Sequence, residues 1–229
     1  MKNLKLDTFS LKVIALILMV IDHIGCYLIP SNSEVYMVVR MIGRLAAPLF
    51  MYCFAVGYKH TKNKNRYIIR LAIASVIVGV LNSLIKLLNV QDIDYTVFEP
   101  NMFFTFLASA CLISSIERIF NDKSFVFCLP AIAISLIIIK YAEYSWFALF
   151  TIPCFYFTKN ETLRNVLFIV GNMIICILTQ NFVQIFMILS ILLIIYTSKE
   201  KPKHKMKYFF YIFYPLHTAI LVLIKMLWF

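Results

Sequence analysis

Charged side chains are scarce in this sequence. Asp, Glu, Lys and Arg make up only 14% of its 229 residues, against 62% hydrophobic, and the mean hydropathy is +0.86. A soluble domain of that length needs far more polar surface to cover its core, so a soluble fold is excluded. Acids are scarcer still, 11 against 22 Lys and Arg, which leaves a net charge of +11. That excess suggests nucleic acid until its pattern is read. The basic residues gather between apolar runs, in "KHTKNKNR" (59–66) and "SKEKPKHKMK" (198–207), while Asp92, Asp94 and Glu99 share another loop. Basic loops stay in the cytoplasm, so the excess sets topology. No nucleic-acid partner is expected, and anionic lipid headgroups are a secondary one.

Other signals are missing too. No run alternates every second residue, which argues against a β-barrel. The cysteines Cys26, Cys53, Cys111, Cys128, Cys154 and Cys176 all fall within apolar runs, with no CxxC and no Cys/His ligand spacing. They read as small buried fillers, and no metal or disulfide framework is expected. There is no HExxH, GxSxG, P-loop or dinucleotide fingerprint, so metalloprotease, serine hydrolase and nucleotide hydrolase readings have no motif behind them.

What remains is apolar length. Runs at about 10–29, 35–58, 67–89, 101–119, 124–140, 146–158, 166–179, 181–197 and 208–228 fit helices crossing a hydrocarbon core of roughly 30 Å. The expected fold is all-α: a polytopic membrane bundle of roughly nine helices, one domain over residues 1–229, in a bacterial-type plasma membrane. The runs 146–158 and 166–179 are short, and Pro130 and Pro153 mark expected kinks. Lys2 and Lys5 precede the first run without a small-x-small cleavage site, so it is expected to be an uncleaved span. Lys2 and Lys5, 59–66, Arg118 with Lys123, Lys159 with Arg164, and 198–207 fall on one side. Glu34, Asp92, Asp94, Glu99 and Glu143 fall on the other, with Lys140 the main exception. This predicts a cytoplasmic amino terminus and an outside carboxyl terminus.

Within these spans some residues are out of place. At 1.5 Å per residue, Asp22 and His23 lie about 10 Å below the outer end of the first span. Arg40 and Arg44, four apart and so on one face, lie roughly 8 and 14 Å below that end of the second. His217 sits near the middle of the last span; Asn82, Asn101 and Thr105 lie in the outer part of theirs. Ionisable side chains at such depth cost about 3 kcal/mol each and should turn inward and pair. The same residues fit a purely structural ion pair, but their convergence from several helices implies a polar cavity. Phe210, Tyr211, Phe213 and Tyr214 read as packing. Lys59, His60, Lys62, Lys64 and Arg66 are either solvated or a receiver for a phosphorylated ligand.

The stretches "LKVIALILMVIDHIG" (11–25), "VRMIGRLAAPLFMYCFAVGYKHT" (39–61), "NMFFTF" (101–106) and "YIFYPLH" (211–217) resemble the TraX family, in order along nearly the whole chain. That family includes a pilin acetylase and is similar to acyltransferase family three and the glucosaminide acetyltransferases. The resemblance implies transfer from acetyl-CoA to an amine or hydroxyl of an unknown acceptor, a peptide or a sugar. In acyltransferase family three an arginine stands eleven residues before the first-helix histidine; here that place holds Lys12, three turns from His23. A neutral imidazole suits the base, so His23 is the expected general base, with Asp22 beside it and His217 binding or orienting the acceptor. Adjacent helical residues diverge by about 100°, so Asp22 is expected to contact Arg40 or Arg44 directly. Arg40, Arg44, Asn82, Asn101, Thr105 and Tyr214 are candidates for substrate or oxyanion contacts or for structural pairing. Lys12 and the 59–66 cations are candidates for the CoA phosphates. A transporter or channel is the alternative, since polar helices also line permeation paths. A non-catalytic scaffold is the third reading.

Overall fold

The first helix begins where a side chain replaces a missing backbone partner. Asp7 accepts from Ser10 N at 2.8 Å and from Ser10 Oγ at 2.6 Å, capping α1 (Thr8–Leu28). In this computed structural model residues 6–87, 101–122, 125–140, 143–198 and 209–228 are described. Lys2, Lys5, Asp92, Asp94, Glu99, Lys123 and the basic stretch 199–207 lie outside them.

Ser33 caps α2 (Glu34–Gly43) through Tyr36 N, and the chain then breaks at Arg44 and Leu45 before α3 (Ala46–Lys59). Pro48 supplies the reason. It has no N–H to give the Arg44 carbonyl four residues back, and its ring crowds that carbonyl, whereas the first turn of a new helix tolerates it. The run expected as one helix over 35–58 is therefore two, although Glu34–Lys59 together is long enough to cross a membrane. Next come α4 (Lys64–Leu87), α5 (Met102–Asp122), α6 (Phe125–Lys140), α7 (Ser145–Phe157) and α8 (Glu161–Thr179). A 3-10 segment, Phe182–Leu189, leads into α9 (Ser190–Ile195), and α10 is Phe209–Trp228. Eight residues at 2.0 Å and six at 1.5 Å cover about 25 Å, more than fourteen α-helical residues would. The tighter winding lets a short apolar run reach further.

All described elements are helical, and six helices are long and apolar enough to cross a membrane by length and composition. Three shorter apolar helices accompany them: Cys128–Lys140, Ser145–Phe157 and Phe182–Ile195. The core centres on α1, α3, α5 and α7, where Leu11, Ala15, Leu49, Met51, Tyr58, Ile113 and Ile152 have no exposed surface and their neighbours pack around them. By contrast, α4 turns Ile69, Ile73, Val76, Ile77 and Val80 outward, and α8 turns out Val170, Ile174, Ile177 and Leu178. Outward apolar faces of that extent need a lipid covering. The protein is an all-α, polytopic integral membrane protein.

Two glycines set how closely α1 and α2 cross. A Cβ at Gly25 would come within 2.9 Å of Val39 Cγ1, and one at Gly43 would run into the Asp22 side chain. Gly57 and Gly79 have open space around the same position. Gly43→Ala should therefore destabilise by about 1–3 kcal/mol, as overpacking does. Gly57→Ala should be neutral or stabilising by up to about 1 kcal/mol, because it only removes backbone freedom from a helix. Thermal unfolding of both variants in detergent checks the contrast, and equal midpoints would contradict it.

Candidate active site

Successive residues of α1 point about 100° apart, so Asp22 and His23 meet different helices. Asp22 faces α2: its Oδ2 receives Arg40 Nη1 at 2.8 Å, and Arg44 Nη2 stands 3.8 Å from its Oδ1. Arg40 also reaches Cys26 Sγ, one turn above Asp22, and lies over the Tyr36 ring. Asp22 is 5% exposed and Arg44 8%, so the attraction acts with little screening by water. The expected direct Arg–Asp contact is made by Arg40, while Arg44 stands at ion-pair distance without a hydrogen bond to Asp22. Asp22 does not pair with His23.

His23 faces α10. Its Nδ1 lies 2.6 Å from His217 Nε2, with the two rings within 15° of parallel. The other ring nitrogen of His217, Nδ1, lies 3.0 Å from the Phe213 carbonyl one turn back. A carbonyl only accepts, so His217 Nδ1 carries a proton and donates it there. In the neutral ring that leaves a lone pair on His217 Nε2, which accepts the proton on His23 Nδ1. The lone pair of a neutral His23 is then on Nε2. Two buried histidines, each 6% exposed, are thus held in defined tautomers by one backbone oxygen. His217 was expected to bind or orient the acceptor; in the structure its Nε2 meets His23 Nδ1.

His23 lines a cavity of about 60 Å³ between α1, α3, α5 and α10. Its polar wall is Asp22, His23, Glu143, Tyr144 and Tyr214, and its apolar wall includes Leu16, Met19, Phe50, Phe103 and Phe210. Glu143 was read from sequence only as an outer-loop charge. The structure brings it to the cavity, where Tyr214 Oη donates to its Oε2 at 3.5 Å. The missed signal is positional: an acid in a turn of few residues between two spans is carried inward with the helix ends.

The other sequence candidates divide clearly. Asn101 caps α5, its Oδ1 accepting from Phe103 N at 3.1 Å and Phe104 N at 3.3 Å, while Nδ2 donates to Ser75 O at 3.0 Å. Thr105 Oγ1 donates to the Glu143 carbonyl at 3.0 Å. Asn82 is half-buried on α4 and does not line the cavity, and neither do Asn101 and Thr105. Lys12 sits beside it, its Nζ 5.4 Å from the centre of the Phe210 ring. Lys59 Nζ donates to Tyr156 O at 3.2 Å, and Lys64 pairs with Glu117 and donates to Tyr156 Oη at 3.1 Å. His60, Lys62 and Arg66 are exposed. Among the described residues no three His, Cys, Asp or Glu side chains converge as a metal site.

These spans, with a mostly apolar cavity among them that carries Asp22, His23, Glu143, Tyr144 and Tyr214, define a polytopic membrane protein with a candidate active site inside the bundle. Residues 8–225 match the family described as TraX protein, and the chain belongs to that family. It is 26% identical over 247 aligned positions to the "Probable fimbrial assembly protein FimC, serogroup H1" of Dichelobacter nodosus, covering 98% of each chain. A shorter stretch of 60 residues is 48% identical to the uncharacterized protein RP591 of Rickettsia prowazekii (strain Madrid E), covering 26% of this chain and 22% of that one. No solved structure matches the chain.

Removing the shared carboxylate should cost more than removing either cation. Asp22→Asn leaves both guanidinium groups without their counter-charge and should destabilise by about 3–5 kcal/mol. Arg40→Gln leaves Arg44 to hold Asp22 and should cost less. Thermal unfolding of the two variants side by side checks the order, and a milder loss for Asp22→Asn would contradict it.

Proposed function

We propose that this protein is a membrane-embedded acyltransferase that moves an acetyl group from acetyl-CoA to an amine or hydroxyl acceptor. The observation that carries the reading is the chain from His23 through His217 Nε2 to the Phe213 carbonyl, beside a cavity of acyl-group size. His23 Nε2 takes the acceptor's proton as the acceptor's nitrogen or oxygen attacks the thioester carbonyl. The carbon–sulfur bond then breaks, and the CoA thiolate leaves with the proton returned by the His23 imidazolium. While His23 is charged, its Nδ1–H remains donated to His217, which spreads and stabilises the charge. His217 is thus a positioning residue. Arg44, which stands 3.8 Å from Asp22 Oδ1 and follows the cavity residue Gly43, is the candidate cation for a developing oxyanion in this reading.

The donor enters from the cytoplasm in this reading, with the amino terminus inside and the carboxyl terminus outside the plasma membrane. Lys12 stands eleven residues before His23, about 16 Å along α1, a span for the pantetheine arm to cover. Its packing on Phe210, a cavity residue, supports a path along that side. His60, Lys62 and Arg66 are exposed cations for the CoA phosphates, whereas Lys59 and Lys64 are already engaged at Tyr156 and Glu117. The printed name of the Dichelobacter nodosus relative concerns fimbrial assembly, which supports a surface-fibre subunit or a glycan as acceptor.

Purified protein incubated with acetyl-CoA should release free CoA, which a transporter or scaffold built from the same residues would not do. His23→Gln keeps hydrogen-bonding capacity but cannot accept a proton at neutral pH, and it should cut turnover by about 10²–10⁴-fold. Chromatographic measurement of CoA release checks this. Unchanged release by the His23→Gln variant, or none by the wild type, would overturn the assignment.

A further inference from the structure

We infer that Tyr144 is a further catalytic residue, its phenol O–H donating to the thioester carbonyl oxygen as negative charge builds there. The inference rests on the acyl-transfer reading and adds to it a neutral donor for the oxyanion.

The state of the Tyr144 hydroxyl carries the inference. Other phenols of the bundle are employed: Tyr214 Oη donates to Glu143 Oε2, Tyr58 Oη to the Ala110 carbonyl at 3.2 Å, and Tyr156 Oη to Glu117 at 2.6 Å. Among the described residues Tyr144 Oη has no hydrogen-bond partner, and its oxygen is not sealed away from open space. Tyr144 lines the same cavity as His23. An O–H donor open to a mostly apolar cavity takes its acceptor from whatever enters.

The surrounding charges say which acceptor suits it. Among charged side chains Arg44 acts most strongly on Tyr144, ahead of Asp22 and Glu143. A cation beside a phenol polarises its O–H into a stronger donor and favours negative charge on the atom it meets. Arg44 itself stands in an ion pair with Asp22, whereas a neutral hydroxyl gives its hydrogen bond with no ion pair to break. The donor is also held in place. Its backbone has φ of 59°, and the flanking peptide groups are tied by Thr105, which donates to the Glu143 carbonyl at 3.0 Å, and by Ala148 N, which donates to the Tyr144 carbonyl at 3.0 Å.

A 60 Å³ cavity holds only about four waters, so one carbonyl group placed in it is within reach of both His23 and Tyr144. The acceptor's nitrogen or oxygen attacks the carbonyl carbon while its proton passes to His23 Nε2. The carbonyl's second electron pair moves onto oxygen, where Tyr144 Oη–H donates a hydrogen bond and keeps its proton. That pair returns as the carbon–sulfur bond breaks, and the thiolate takes the proton from His23.

Tyr144→Phe removes the hydroxyl and keeps the ring. In the purified protein it should lower the kcat of CoA release by about 10²–10³-fold and leave the KM for acetyl-CoA within about threefold, because the donor acts on charge that exists only in the transition state. The thermal midpoint should stay in place, since the hydroxyl holds nothing in the fold. Infrared spectroscopy gives a second reading that needs no turnover. S-acetonyl-CoA carries a ketone where the substrate has its thioester, and with a carbon-13 label its bound carbonyl stretch should lie at lower frequency in the wild type than in Tyr144→Phe. An unchanged kcat, a raised KM with kcat retained, a clear fall in thermal midpoint, or equal carbonyl frequencies in the two proteins would each overturn the inference. Absence of any wild-type CoA release would overturn the acyl-transfer reading instead.

Discussion

The arrangement depends on one carboxylate held between two guanidinium groups inside the bundle. Asp22 sits in the interior layer, where a lone charge costs several kcal/mol, and neither Arg40 nor Arg44 belongs there without it. Bringing all three together requires α1 and α2 to cross closely. Gly43 permits that by offering no Cβ to the Asp22 side chain, and Pro48 helps by ending α2 just where Arg44 must turn back. The ion cluster is therefore a clamp, and the clamp fixes the rotation of α1 about its axis. With that rotation set, the next residue has only one place to go. His23 points at α10 and meets His217 at 2.6 Å.

That coupling explains why an acid and an imidazole stand side by side in a span where each is costly. They divide two jobs. Asp22 anchors the helix, and His23 presents a nitrogen to the cavity in a tautomer that the Phe213 carbonyl dictates through His217. The apolar wall of Leu16, Met19, Phe50 and Phe103 lowers the polarity around the site, which strengthens the polar contacts beside it. A rigid ion clamp on one side and an oriented imidazole pair on the other is the kind of preorganised site that proton transfer in acyl chemistry uses.

Much of this was legible in the sequence, and the parts that were not have identifiable causes. Helical rise fixed the depth of Asp22, Arg40 and Arg44, and the i, i+4 spacing fixed their common face, so the ion pairing could be read directly. Depth also put His217 in the right layer, but rotation about α10 is not readable from one helix, so its Nε2 partner was missed. Asn101 and Thr105 had the right depth too. Their side chains serve backbone groups, Asn101 as a helix cap and Thr105 on the Glu143 carbonyl, because a helix end buried in apolar surroundings must satisfy its own polar atoms first. Glu143 was read as a topology marker, since loop acids normally are. Only the left-handed backbone at Tyr144, which no glycine announces, shows how the turn brings it to the cavity. The break at Arg44 and Leu45 was signalled by Pro48, but the apolar run across it looked continuous.

The most direct measurement is the protonation pattern of the imidazoles themselves. The chain has only four histidines, so a sample labelled with nitrogen-15 in histidine alone gives a small, assignable set of ring signals, with His→Gln variants identifying each. The account predicts that at neutral pH His23 and His217 are both neutral, each with its proton on Nδ1, and that replacing His217 abolishes the fixed tautomer of His23. A proton on His23 Nε2, or a His23 signal indifferent to the loss of His217, would contradict it.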